Sequence, residues 1–183
     1  MTLGDGFDAA LKAAKEGADW AWAALYRDLV GPVTGYLAGR GASEAEDLAA
    51  ETFLQVARNI HTFHGDESAF RSWVFVITHR RLIDARRAHG RRPDLVTLPD
   101  DETQPGGDVE VEAVDQLVTA ELREAFEKLT EDQRDVLALR IIANLTVEET
   151  ANVIGKRIGA VKAAQRRGLL ALRGHLDLER VTR

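Results

Sequence analysis

The chain has 183 residues, 45% of them hydrophobic and 30% charged, ordinary proportions for a globular protein, with a formal net charge of -6. Cysteine is absent, which excludes disulfides and thiolate metal sites and suits a reducing compartment. No basic-then-apolar leader and no apolar run of about 18 residues appears, so the expectation is a cytoplasmic protein without membrane insertion.

In chain order, the pattern predicts a helix from Phe7 to about Gly39 and a second from Ser43 to about Thr62. The second opens with Ser43-Glu44-Ala45-Glu46, the spacing of a capping box, in which a hydroxyl and a carboxylate three residues apart satisfy orphan backbone N–H groups. Leu48, Thr52, Val56 and Ile60 share one face of it, widened by Phe53 and Ala57, while Glu44, Glu46, Asp47 and Glu51 make its start acidic. A third helix is predicted from Ser68 to about Ala88, ending in a basic stretch where Arg80, Arg81, Arg86, Arg87, Arg91 and Arg92 are opposed only by Asp84.

Residues 93–112 combine Pro93, Pro99, Pro105, Gly106 and Gly107 with acids, and from Asp94 to Gln116 there is no base. That composition reads as an acidic flexible linker. Charge is thus segregated along the chain, and local potential matters more than the total.

An amphipathic segment from Val114 to Leu129 leads into two further capping patterns, Thr130 to Gln133 and Thr146 to Glu149. Val147, Thr150, Ala151 and Ile154 hold helical spacing, Gly155 offers the left-handed turn of a helix end, and a last helix starts at about Ile158. In it Lys156, Arg157, Lys162, Arg166, Arg167 and Arg173 face no acid, with Val161, Leu169, Leu170 and Leu172 as the expected buried side. Short helix, glycine turn and basic helix together form a helix-turn-helix pattern and point to DNA. A solvated basic face of a small bundle is the plainer reading of the charge alone.

The fold class expected is all-α, two small helical domains over 1–92 and 113–183 joined by the linker 93–112, the halves folding independently and moving relative to each other. His61 and His64 lack a third ligand at suitable spacing, and no phosphate loop or nucleophile signature is present. The chain is therefore read as not an enzyme, with no cofactor and no metal.

Glu46, Asp47, Leu48, Glu51, Thr52 and Phe53, then Phe63, Gly65, Phe70 and Trp73, then Asp84, Arg86 and Arg87 stand in an order that resembles the extracytoplasmic-function (ECF) sigma factors of bacterial RNA polymerase, group 4 of the sigma-70 family. LTEDQRDVLALR, LTVEETANVIG and Gly159-Ala160-Val161-Lys162 continue the likeness, which covers most of residues 20–175. The chain departs from the family pattern at Ala50 and at Arg80, where Gln and Asn are common.

The resemblance implies a sigma factor that binds core RNA polymerase and directs promoter recognition. Its first domain (σ2) would dock on the β′ clamp helices through Glu46, Asp47, Leu48, Glu51 and Phe53, although the same acids also complement a helix dipole. Phe63, His79, Arg80, Arg81, Arg86 and Arg87 would engage the minus-ten element, Phe63 at a base pocket, with Phe70 and Trp73 mainly structural. The second domain (σ4) would read the minus-35 element with Arg157, Lys162, Gln165, Arg166 and Arg167, phosphate contact alone serving equally for Arg157 and Lys162. Partners implied are core polymerase (β′ clamp helices and β flap), promoter DNA and an anti-sigma factor, and the linker lies near the RNA path or is a plain tether. A stand-alone helix-turn-helix regulator is the alternative.

Overall fold

The computed structural model describes residues 3–89 and 122–181. The linker expected over 93–112, Arg91, Arg92 and the start of the segment from Val114 lie outside them. Among the described residues every regular element is helical: a 3-10 turn Gly4–Gly6, α1 (Phe7–Lys15), α2 (Asp19–Gly39), α3 (Ala45–Asn59) with a 3-10 turn Ile60–Thr62, α4 (Glu67–His89), a helical stretch over 122–127, then α5 (Glu131–Ile141), α6 (Val147–Ile154) and α7 (Ile158–Val181).

The single helix expected from Phe7 to Gly39 is two. Gly17 adopts φ +87°, and its N–H bonds to Ala14 C=O while Ala18 N–H bonds to Ala13 C=O. That pair of bonds is the Schellman closure, which requires a left-handed residue that glycine supplies without a Cβ clash. The expected cap at Ser43 also does not form. Glu44 occupies the N-cap at φ -116°, ψ 52° without a side-chain bond, whereas Thr130 (ψ 159°) and Thr146 (ψ 168°) have the extended geometry a cap needs and both build the full reciprocal box. Asp66 starts α4 instead of Ser68, its Oδ1 accepting from Ala69 N–H at 2.8 Å.

The two halves share a core. Leu25, Leu29, Val33, Leu37, Val56, Phe75 and Leu82 belong to the same buried cluster as Ala138, Leu139, Ala143, Leu145 and Val153. Full burial of a leucine such as Leu139 or Leu145 contributes roughly 1.5–3 kcal/mol, and in this structure the two halves meet in a packed junction. Ile142 sits over α2, where a Cβ at Gly35 would lie 3.2 Å from its Cγ2 and one at Gly39 3.6 Å from its Cδ1.

A second, smaller cluster of Val136, Ala151, Val161 and Ala164 holds the helix-turn-helix together. Here the expected buried side of α7 is corrected. Val161, Ala164 and Gly168 face inward, a Cβ at Gly168 lying only 3.0 Å from Leu137 Cδ1, while Leu169 and Leu170 are 45% and 61% exposed and Leu172 is half-buried. Small residues at helical spacing let α7 approach α5 closely, and that approach rotates the leucines outward.

Candidate nucleic-acid and polymerase interfaces

On α3 the 3.6-residue period sorts acids from core. Ala49, Thr52, Phe53 and Val56 are buried, Leu48 is half-buried against them, and Glu44, Glu46, Asp47, Ala50, Glu51 and Leu54 are exposed. Thr52 is satisfied by donating to Leu48 C=O at 2.8 Å. Of the expected docking residues, Glu46, Asp47 and Glu51 therefore form a surface. Phe53 is turned inward on Tyr26, ring centroids 4.7 Å apart at 62°. Glu51 also meets Arg81 of α4 at 3.1 Å, and Gln55 Oε1 accepts from Arg81 Nε at 3.0 Å.

The connection from α3 to α4 is an aromatic knot. Phe63, expected to be available to a flipped base, is 8% exposed, its ring stacked on Trp73 (5.2 Å, 29°) and edge-on to Phe70 (5.2 Å, 75°). Phe7 of α1 adds a further ring against Phe70 at 5.6 Å. Lys15 Nζ donates to Phe63 C=O at 2.6 Å, and Glu67 accepts from Leu3 and Gly4 N–H, so the N-terminal segment braces this loop. Gly65 completes the fit, since a Cβ there would come within 2.9 Å of Ala69 Cβ. Trp73 is the half-buried ring of the cluster, and His64, the residue after Phe63 in the chain, is exposed. Neither was singled out by the sequence for base contact, because burial in an aromatic cluster leaves no local signature.

The five basic residues of α4 expected at the minus-ten element divide. Arg80 and Arg87 are exposed, Arg87 within 3.8 Å of Asp84; Arg81 is held on α3. His79 and Arg86 point instead to the second half of the chain. His79 Nδ1 lies 2.8 Å from Tyr36 Oη, which donates to Asp135 Oδ1 at 3.2 Å. A carboxylate only accepts, so with the single Tyr36 proton spent on Asp135 it is His79 Nδ1–H that donates to Tyr36. Burial holds the His79 pKa below its ordinary value, opposed by Asp135 and reinforced by Arg40 and Arg86. Burial likewise raises the Tyr36 phenol, with Asp135 adding to it. Arg86 Nη1 meets Glu131 Oε1 at 2.5 Å, and its Nη2 donates to Arg40 C=O. Arg40 itself, its side chain 0% exposed, places Nε 2.5 Å from Asp135 Oδ1 and Nη2 3.4 Å from Glu131.

In the helix-turn-helix the two capping boxes fix the starts of α5 and α6, and Gly155 at φ +65° turns the chain into α7. Arg157, Lys162, Arg166 and Arg167 are all exposed, and Gln165 is half-buried. Lys162 and Arg166, one turn apart, stand on the face away from Val161 and Ala164. Ile158, Gly159 and Ala160, which the charge pattern does not single out, are exposed in the first turn, where a recognition helix brings its backbone nearest the bases. Among the described residues there is no group of three or more His, Asp or Glu able to hold a metal, and no helix long and apolar enough to cross a membrane.

The family model for Sigma-70 region 2 matches residues 22–92 and that for Sigma-70, region 4 matches 125–174. The chain is similar to the ECF RNA polymerase sigma factor ShbA of Streptomyces griseus subsp. griseus, 33% identical over 141 residues that cover 75% of this chain and 74% of the relative. It is also similar to the ECF RNA polymerase sigma factor RpoE of Cereibacter sphaeroides, 31% identical over 162 residues covering 86% and 87%. Among solved structures, CnrH in complex with the cytosolic domain of CnrY shares the fold with a TM-score of 0.69 at 21% identity over 95% of this chain and 99% of that one. The sigma factor RpoE in complex with the anti-sigma factor NepR from Bartonella quintana does so with a TM-score of 0.65 at 20% identity, over 83% and 94%. A first half with its own region 2 match sets aside the stand-alone regulator. With both halves matched in order and relatives of a third identity spanning three quarters of the chain, the protein belongs to the ECF RNA polymerase sigma factors of the Sigma-70 family.

Proposed function

We propose that this chain binds core RNA polymerase through the exposed acidic face of α3 and directs it to promoters by opening the minus-ten element with α4 and reading the minus-35 element with α7. The observation that carries this reading is one chain presenting an acidic surface, Glu46, Asp47 and Glu51, and a separate basic one, Arg157, Lys162, Arg166 and Arg167. An acidic helix suits a basic coiled coil such as the β′ clamp helices, where charge complementarity sets encounter and register.

Promoter opening needs cations for phosphates and an apolar surface for an unstacked base. Arg80 and Arg87, the exposed pair, meet the first need, Arg87 beside Asp84, while Arg81, Arg86 and His79 are less exposed and would exchange their present partners. For the second, half-buried Trp73 is the better candidate than Phe63, which is 8% exposed and stacked on it. On α7, Arg166 and Arg167 carry bidentate readout of guanine, Gln165 lies on the same helix beside them, and Lys162 and Arg157 contact phosphate.

The functional division follows the expected domains, 1–92 and 113–183, with 93–112 as tether and β flap contact assigned to the second. CnrH and the Bartonella RpoE were solved with the cytosolic domain of CnrY and the anti-sigma factor NepR, and we extend to this chain an anti-sigma partner of its own. The work is placed in the cytoplasm, where the polymerase is, and involves no catalytic step by this chain. Co-purification of the full chain with core polymerase followed by run-off transcription tests the reading. Absence of chain-dependent transcripts from every promoter of a genomic library would refute it.

A further inference from the structure

The region 2 match begins at residue 22, so α1 and the turn before it stand outside it, yet both bear on the loop between α3 and α4. We propose that Lys15 and Glu67 are positioning residues for minus-ten recognition: through them the segment from Leu3 to Lys15 holds the loop 60–66 in the conformation that presents Trp73 to an unstacked base. The proposal rests on the sigma-factor reading and adds to it residues that set selectivity without touching DNA.

The sequence of α1 directs it to this loop. Phe7, Ala10, Leu11 and Ala14 form its buried face, at the spacing of one helical side. Seating that side on the core fixes the rotation of the helix, and half-buried Lys15, next after Ala14, is carried to the edge of the loop. Left-handed Gly17 ends the helix there. Lys15 Nζ donates to Phe63 C=O at 2.6 Å.

That bond is the loop's distant tether. Among the described residues the other hydrogen bonds of its backbone are local, as from Phe63 N–H to Ile60 C=O and from Phe70 N–H to Asp66 C=O. A charged donor also makes a stronger bond to a carbonyl than a neutral one does. Phe63 leaves the 3-10 turn at φ -73°, ψ 136°, so the direction of its carbonyl sets the path of the following residues. Its ring is enclosed: Trp73 is stacked on it, Phe70 meets it edge-on, and a Cβ at Gly65 would lie 3.1 Å from Phe63 Cζ. Groups packed this closely shift together, so a displaced Phe63 backbone displaces the face of Trp73.

Glu67, in the first turn of α4, secures the start of the same segment. Its carboxylate accepts from Leu3 N–H at 2.7 Å and from Gly4 N–H at 3.0 Å, and Phe7 lays its ring against Phe70. One turn further on, Arg71 is paired with Asp28 of α2 at 2.7 Å, which anchors the start of α4. With α4 anchored, the loop takes its position from α1, held at one end by Glu67 and reaching the loop through Lys15 at the other. Small misplacements that begin far from a recognition surface have large effects on what it binds.

The test uses the full chain with core polymerase in run-off transcription, on promoters that differ by single bases across the minus-ten element. The unsubstituted chain should discriminate at one position, and Trp73→Ala should abolish that preference. Lys15→Met keeps the aliphatic stem and removes the donor. It should lower discrimination at that same position by about fivefold or more, with minus-35 selection, co-purification with polymerase and circular dichroism unchanged. Lys15→Arg, which still donates to a carbonyl, should retain the preference. Undiminished discrimination by Lys15→Met overturns the proposal, as does a loss spread evenly over every promoter, which would make Lys15 a support of the fold alone. A minus-ten preference indifferent to Trp73→Ala overturns it as well. Should Lys15→Met fail to fold, Glu67→Gln sets an amide donor against one of the two N–H groups: the same position should lose discrimination, and an unchanged preference overturns the proposal. An unsubstituted chain inactive with polymerase instead overturns the sigma-factor reading beneath it.

Discussion

Arg40 closes α2 and Asp135 projects from the middle of α5, and the two meet at 2.5 Å where the arginine is wholly withdrawn from solvent. Among the described residues neither forms an ion pair within its own half. The pair therefore ties the end of α2 to α5, and it sits at the centre of a polar group that includes Tyr36, His79, Arg86 and Glu131.

Removing one member strands the other. Asp135→Ala is expected to cost about 3–5 kcal/mol in urea unfolding, the usual penalty for an uncompensated buried charge, whereas Arg40→Met with Asp135→Leu together should be near neutral. A double variant as unstable as the single one would show that the ion pair contributes net stability rather than merely avoiding a penalty.

The junction should also weaken in mild acid. Burial holds the His79 pKa below its ordinary 6.5, so as pH falls the unfolded chain takes up a proton on this ring before the folded chain does. The unfolded state then binds more protons, and stability declines as pH drops below about 6.5. Tyr36, Arg40 and Arg86 face the ring along with Asp135 and Glu131, and the two arginines oppose protonation. Urea midpoints measured between pH 7.5 and about 5.5 should fall for the natural chain and show a smaller slope for His79→Gln.

Docking on polymerase should depend on Asp47 more cleanly than on Glu51, which is shared with Arg81. Asp47→Arg is expected to lower association with core polymerase by about tenfold or more with no change in circular dichroism, since a rim charge acts on encounter and register rather than on folding. Undiminished co-purification would remove α3 as the docking helix.

For α7, Arg166→Ala should cost about 1–3 kcal/mol on a preferred promoter and relax selection at one minus-35 position. Lys162→Ala should weaken binding evenly across sequences and lower the salt slope by about 1. Transcription indifferent to Arg166→Ala and Arg167→Ala combined would leave α7 a structural helix only.

Much was legible locally. The caps at Thr130 and Thr146, the turn at Gly155 and the inward face of α3 rest on relations three or four residues apart, which the backbone geometry of a helix imposes wherever the side chains suit. The same logic failed at Ser43, where the spacing is right but Glu44 holds the cap position in a conformation that cannot complete the box. It failed again across Phe7 to Gly39, where Gly17 marked a break that the continuous apolar period concealed.

What the chain's order of residues determined by itself, then, is the helical class, the segregation of acidic and basic surfaces, and the exposure of Lys162, Arg166 and Arg167. Only the tertiary structure decided that Phe63 is a support rather than a surface ring, that Leu169 and Leu170 turn outward, and that His79 and Arg86 are engaged by Tyr36 and Glu131. Local periodicity tells which face of a helix is apolar, but which neighbour covers that face, and which buried charge finds a counter-charge, depends on contacts between residues far apart in the chain, and those are set by packing.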